Sequence, residues 1–455
     1  MKRLDLDPTK GNISNSIEND IFGRNHHLKR FYEMLNSSED IRTFSIDGEW
    51  GSGKTFFVKE LCTLINSYNS SVEQKEQNNK TVKSIIKIEK PDTSMYAVYY
   101  DAWKNDNDID PILSLLFEIA EQLEVDFSLP ELNLNSKKII KEIVKLIFPK
   151  NIIISEMINC LDNIQEKDLF DEFKQSRQLE NKIQEFFSVL PEKKCNKLVI
   201  FIDELDRCKP NYAVKLLERI KHYFINFPKI KFVFSLNSRE LQHSVKKIYG
   251  NEFDAYQYLD RFFDIRLNLP EIKIDEMWNA LGINSSVSDS VLKTVIQHYS
   301  MSYREAAHYK SICKIIQNKY SSGKMEHIPF DAENRLLNLY ITPIVIGTFL
   351  MNRSDYDSLI SGNNNQLFNK ILLNIEHFGD IWRSLCNENE EINIQDVDIK
   401  KQVAEKLYDS IFNFPNDAFC TSIKVGNYGF TKRSKEILLE MTSLLSDLSD
   451  YGNGE

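Results

Sequence analysis

The sequence predicts an α/β fold: a doubly wound parallel sheet with a large helical insertion, followed by an all-helical region. Three observations carry this. Short apolar runs at 41–47, 95–101, 198–202, 231–236 and 262–269 alternate with helical patterns, as in parallel strands joined by crossovers. The first run leads straight into a glycine-rich turn, Gly48-Glu49-Trp50-Gly51-Ser52-Gly53-Lys54-Thr55. After Pro270 the strand signals stop and helical periodicity takes over.

In chain order, residues 1–18 read as a mobile polar tail and 19–270 as the sheet-bearing core. Ile21-Phe22-Gly23-Arg24 precedes an amphipathic helix near His27–Leu35. The strand at 41–47 and the glycine turn follow, with Gly48, Gly53, Lys54 and Thr55 fitting G-x-x-x-x-G-K-[ST] without mismatch. The spacing has a chemical reason. Glycines let the backbone curl until successive N–H groups face a phosphate, and the helix after the turn, 55–68, presents its positive N-terminus. Lys54 reaches the β- and γ-phosphates, and the Thr55 hydroxyl is placed to ligate Mg²⁺. The expected ligand is a Mg²⁺-bound nucleoside triphosphate, held by Gly48 through Phe56.

Residues 69–82 read as an exposed polar loop and 95–101 as a second buried strand ending in Asp101-Ala102-Trp103, with Trp103 expected to pack in the core. Residues 111–191 turn helical and replace a short crossover. Within them Lys137–Lys150 sets an isoleucine-rich stripe among lysines, the pattern of a packing helix with a solvated basic face. Leu198–Ile202 is then continuous, β-branched and too short for a helix, as expected of a strand buried on both faces. Asp203 at its carboxyl end stands where an open α/β sheet puts a Mg²⁺-organising carboxylate. Glu204, pointing to the other side of the chain, is the candidate to polarise the attacking water.

A helix at 211–224 and a strand at 231–236 lead to Asn237, whose amide can orient that water, cap the following helix, or do both. Residues 271–325 read as a helical lid, 326–445 as a further helical region and 446–455 as an acidic tail. The longest apolar run, Leu336–Met351, contains Asn338, Thr342 and Pro343 and falls short of the ~20 residues needed to span a bilayer. A buried helix is expected there.

Composition narrows the class. The 455 residues are 42% hydrophobic and 27% charged, an ordinary globular balance. A net charge of −10 argues against indiscriminate nucleic-acid binding, so nucleic acid is a possible partner that charge does not indicate. Seven scattered cysteines form no C-x-x-C pair, which suits a reducing cytoplasm and gives no zinc site. The first thirty residues lack the apolar core of a signal peptide.

With the motifs in hand, Gly-Glu-Trp-Gly-Ser-Gly-Lys-Thr, Tyr-Asp-Ala-Trp at 100–103 and Asp-Glu-Leu-Asp-Arg-Cys-Lys-Pro at 203–210 together resemble the KAP family of P-loop NTPases. The similarity runs from Ile21 to about Ile316. It implies an ATPase used as a molecular switch, in bacteria often within antiphage defence, that self-assembles and acts on a separately encoded partner or effector. Many relatives insert paired transmembrane helices between the two motifs, and this chain does not. Asn237 stands where related proteins usually carry an acidic switch residue. The resemblance also implies adenine contacts at Gly23 and Arg24, a lid arginine at Arg304, and a finger arginine for a neighbouring subunit at Arg261, with Arg207 and Arg266 as rivals. An ATP-binding scaffold with negligible hydrolysis is the competing class, and a nucleic-acid motor a weaker third.

Overall fold

The computed structural model describes residues 7–70, 77–108, 110–123, 181–183, 197–224, 227–321, 331–386, 396–415 and 421–449. The chain divides into two compact units, Asp5–Lys273 and Ile274–Glu455.

The first unit is built on five parallel strands: β1 (Thr43–Asp47), β2 (Met95–Asp101), β3 (Lys197–Asp203), β4 (Ile230–Leu236) and β5 (Ile265–Asn268). Their order is β2-β3-β4-β1-β5, so the strand feeding the glycine turn is separated by β4 from the strand ending in Asp203. Because side chains alternate across a strand, β3 serves two layers. Leu198, Ile200 and Ile202 join one apolar cluster with α5 (Pro111–Gln122) and with α6 (Pro210–Phe224). Val199, Phe201 and Asp203 share the opposite parity. On that side lie α2 (Asn25–Ser37) and α3 (Lys54–Tyr68), where Phe31 meets the rings of Phe44 and Phe57. Period-two alternation thus delivers Asp203 to the face of the phosphate helix. Each fully buried aliphatic chain in these layers contributes ~1.5–3 kcal/mol over exposure.

Several boundaries differ from the sequence reading. The latter half of residues 1–18, read as a mobile tail, folds instead: α1 (Lys10–Asn19) is capped by Thr9 and buries Ile13 and Ile17. Polar composition hid an apolar pair at i, i+4, which is enough to dock a short helix. The polar loop of 69–82 is cut short by α4 (Gln77–Ile85), which buries Val82. The last strand begins only at Ile265, because Phe262 and Phe263 close the turn after a short helix, Ala255–Asp260. Trp103 is no core residue: about half of it is exposed. The lysine-rich segment 137–150 lies outside the described residues.

In the second unit, the lid and the following helical region expected as separate pieces form one body. Tyr309 on the helix Tyr303–Ser321 donates to the Pro343 carbonyl at 2.9 Å, and Tyr299 donates to Thr348 at 3.0 Å. Both acceptors lie on or at the start of Thr342–Met351. That segment is buried, and a π-helical turn at Leu337–Ile341 precedes its proline. Among the described residues no helix is long and apolar enough to cross a membrane. A small antiparallel hairpin, Ile423–Val425 with Tyr428–Phe430, completes the unit.

Candidate nucleotide site

The carboxyl ends of β1, β3 and β4 converge on one edge of the sheet, the edge where open α/β folds bind ligands. The loop from Gly48 to Gly53 leaves β1 there and enters α3. Gly51 and Gly53 have φ of 80° and 91°, a left-handed region costly for residues bearing a Cβ. At Gly48 a Cβ would lie 3.0 Å from Ser52 Oγ and 3.3 Å from Leu269, so a larger residue there would press on both side chains.

Lys54 is buried, and its ammonium donates to the carbonyls of Gly48 at 2.6 Å and Glu49 at 3.1 Å. Burial pushes its pKa down, while Asp206, Asp203, Glu204 and Asp47 pull it back up. The lysine is held against the loop carbonyls, with the field of four nearby carboxylates acting on it. A triphosphate arriving there exchanges weak carbonyl acceptors for anionic ones, and charge-assisted hydrogen bonds are roughly twice as strong.

Asp203 is fully buried, and burial raises its pKa against the pull of the Ser235, Thr55 and Tyr99 hydroxyls. Tyr99 donates to its Oδ2 at 3.1 Å. Its Oδ1 makes no hydrogen bond among the described residues. A buried, orphaned carboxylate oxygen is costly unless a cation or donor completes it. With the Thr55 hydroxyl beside it the donor set is hard oxygen, the kind Mg²⁺ prefers. The residues present fit that ion.

Glu204 sits at φ 60°, ψ 26°, left-handed for a residue that is not glycine, at the head of a one-turn helix, Leu205–Arg207. Backbone strain of this kind, of order 1–3 kcal/mol, collects at functional sites. It turns the carboxylate so that Oε1 accepts from Thr55 Oγ1 at 3.2 Å while Oε2 pairs with Arg207 Nε at 2.5 Å. Burial and then Asp203 raise its pKa, and Arg207 opposes them. The phosphate-loop threonine and the acid of the second motif, 149 positions apart, are in contact.

The remaining expected residues divide. Asn237 takes the capping role: its Oδ1 caps the helix Ser238–Tyr249, while its Nδ2 donates to Glu49 Oε2 at 3.2 Å. It is buried at the end of β4 beside the loop. Trp50 is half exposed, and its indole donates to Asp206 at 2.6 Å, tying the phosphate loop to the turn after β3. Phe56 is buried edge-on to Phe22, on the packed side of α3. Gly23 takes a φ of 63° in the turn before α2. Arg24 is buried beneath the loop, donating to the carbonyls of Ser52 at 3.1 Å and Pro270 at 2.6 Å. That geometry makes it a support for the loop backbone. Arg261 is an exposed residue ending the helix Ala255–Asp260, its carbonyl accepting from Lys221. Arg266 pairs with Asp260 and stacks on Tyr256. Arg304 lies exposed in the second unit, in the first turn of a helix closed by a reciprocal Ser302–Glu305 capping box.

Sequence reasoning missed Tyr99, Asp206 and the supporting role of Arg24. Tyr99 is one of three tyrosines on its strand, and the sequence does not single it out from Tyr96 and Tyr100. The other two are set by contacts across 156 and 28 or more positions, for which spacing offers no signal. Among the described residues no cluster of His, Cys, Asp and Glu has the makings of a separate metal centre.

A family model described as the KAP family P-loop domain matches residues 24–318, more than half of the chain. Comparison with curated proteins found no match.

Proposed function

This chain belongs to the KAP family of P-loop NTPases, and from that premise we propose that it is a Mg²⁺-dependent ATPase whose cycle switches self-assembly or partner engagement. An antiphage defence module, with the effector chemistry on a partner, is the setting proposed for it. Membership of the family supports nucleotide binding and hydrolysis as a class. The observation that carries the finer reading is the contact between Thr55 and Glu204, which brings the phosphate-helix hydroxyl and an orientable carboxylate to one point beside Asp203.

Phosphoryl transfer to water needs positioning and charge neutralisation, with no covalent intermediate. The loop N–H groups and Lys54 take the β- and γ-phosphates. Thr55 and Asp203 would hold Mg²⁺, which would supply further positive charge at the phosphates. Glu204 accepts the proton of a water whose oxygen bonds to the γ-phosphorus as the bond to the β–γ bridging oxygen breaks. Asn237 orients that water from the end of β4. Arg261, exposed beside the last strand, is the proposed finger for a neighbouring copy, and Arg304 the proposed lid arginine.

Glu204→Gln tests this. Glutamine keeps size and hydrogen bonding but accepts no proton. Mg-ATP binding should persist, since Lys54, Thr55 and Asp203 are intact, while steady-state hydrolysis falls by about 10²–10⁴-fold. The ATP-bound form should then accumulate and trap whatever assembly ATP favours. Equal slow hydrolysis in wild type and variant would leave Glu204 no catalytic role and favour a nucleotide-binding scaffold.

A further inference from the structure

Arg207 is one of three arginines that the resemblance offers as a finger for a neighbouring site, yet its own geometry points inward. Its Nε lies 2.5 Å from Glu204 Oε2, and its side chain is only a quarter exposed. The guanidinium carbon sits 5.5 Å above the ring of Trp103, which projects from the end of β2 with about half its surface in solvent. The turn is also closed by its own backbone: Arg207 N donates to the Glu204 carbonyl at 3.1 Å.

Glu204 has few other means of choosing an orientation. Its backbone is left-handed and leads into a single helical turn, and among the described residues its Oε1 accepts from the Thr55 hydroxyl alone, at 3.2 Å. Without a partner on Oε2 the carboxylate is free to swing about its side-chain torsions. A guanidinium is suited to prevent this, because its planar N–H groups fix a carboxylate in direction as well as distance, and its flat face stacks on an indole. An arginine reaching toward another subunit would have to abandon both contacts.

We propose that Arg207 is a positioning residue acting in cis, holding Glu204 in its working orientation with Trp103 as the platform beneath it. The inference rests on the reading of Glu204 as the group that takes the proton from water. Displacing a catalytic group by about an ångström costs roughly 10²-fold in rate, and that is the loss expected when the clamp goes.

The experiment compares Arg207→Met, Trp103→Leu, Glu204→Gln and the Arg207→Met/Glu204→Gln double variant. Each is assayed for Mg-ATP affinity with a fluorescent ATP analogue and for steady-state kcat and KM. Arg207→Met should lose kcat by about 10²-fold with affinity and KM unmoved, and Trp103→Leu should lose less. The double variant should be no slower than Glu204→Gln, because residues acting through one another do not add. Multiplying losses in the double variant, or recovery of Arg207→Met on mixing with Lys54→Ala subunits, would make Arg207 a finger and overturn the inference. Affinity weakening in step with kcat would reduce it to a structural prop. Full turnover in Arg207→Met while Glu204→Gln is slow sinks this inference alone; full turnover in Glu204→Gln sinks the underlying reading as well.

Discussion

Glu60 lies within the helix that carries Lys54 and Thr55, and it is buried. Its Oε1 accepts the Ser16 hydroxyl at 2.5 Å, joining α1 to α3, while Oε2 makes no hydrogen bond among the described residues. Burial lifts its pKa from 4.5 to about 7, against the pull of the Ser16 hydrogen bond and of Arg24, with Asp20 adding to the rise. Between those two values the native state keeps a proton that the unfolded chain has released. Its stabilising share is thus complete below 4.5 and is lost as pH rises through about 7. The interval, at about 1.4 kcal/mol per pH unit, amounts to about 3 kcal/mol. Glutamine at this position is neutral at every pH and still offers an oxygen to Ser16. Glu60→Gln should therefore match wild type near about pH 4 and exceed it by up to about 3 kcal/mol near about pH 8. Urea unfolding followed by circular dichroism across that range measures the difference. A wild-type-minus-variant gap that stays constant with pH, or a variant that is weaker at the alkaline end, would refute the reasoning.

Two further outcomes are expected at the nucleotide site. Lys54→Ala should abolish thermal stabilisation by Mg-ATP, because the loop loses the buried ammonium poised at its mouth; undiminished stabilisation would move the site elsewhere. Arg261→Ala should keep ATP binding and lose turnover by about 10³-fold or more if it serves a neighbouring subunit. Mixing it with Lys54→Ala subunits should then restore activity, whereas a wild type that hydrolyses ATP at full rate as a monomer would end that assignment.

The sequence by itself determined the α/β core, the phosphate loop and the acidic strand end. Each is encoded locally: Gly51 and Gly53 by the left-handed backbone they must adopt, Asp203 by its place at the end of a short β-branched run, Asn237 by the helix it caps. Such features need only neighbours along the chain. Local pattern failed where few residues carried the signal, as with Ile13 and Ile17 in a polar stretch that nonetheless folds as α1, or Val82 in a segment read as loop. Tertiary structure alone decided the partners. Periodicity tells a residue which face it occupies but not what lies across from it. Only the strand order, with β4 between β1 and β3, brings Thr55 to Glu204, Trp50 to Asp206 and Asn237 to Glu49. Arg24 is the clearest case. In the sequence it is a charged residue before a helix, with an adenine contact as its expected role. Packing buries it under the phosphate loop, where an unpaired guanidinium would be too costly to keep, and it donates to carbonyls 28 and 246 positions away.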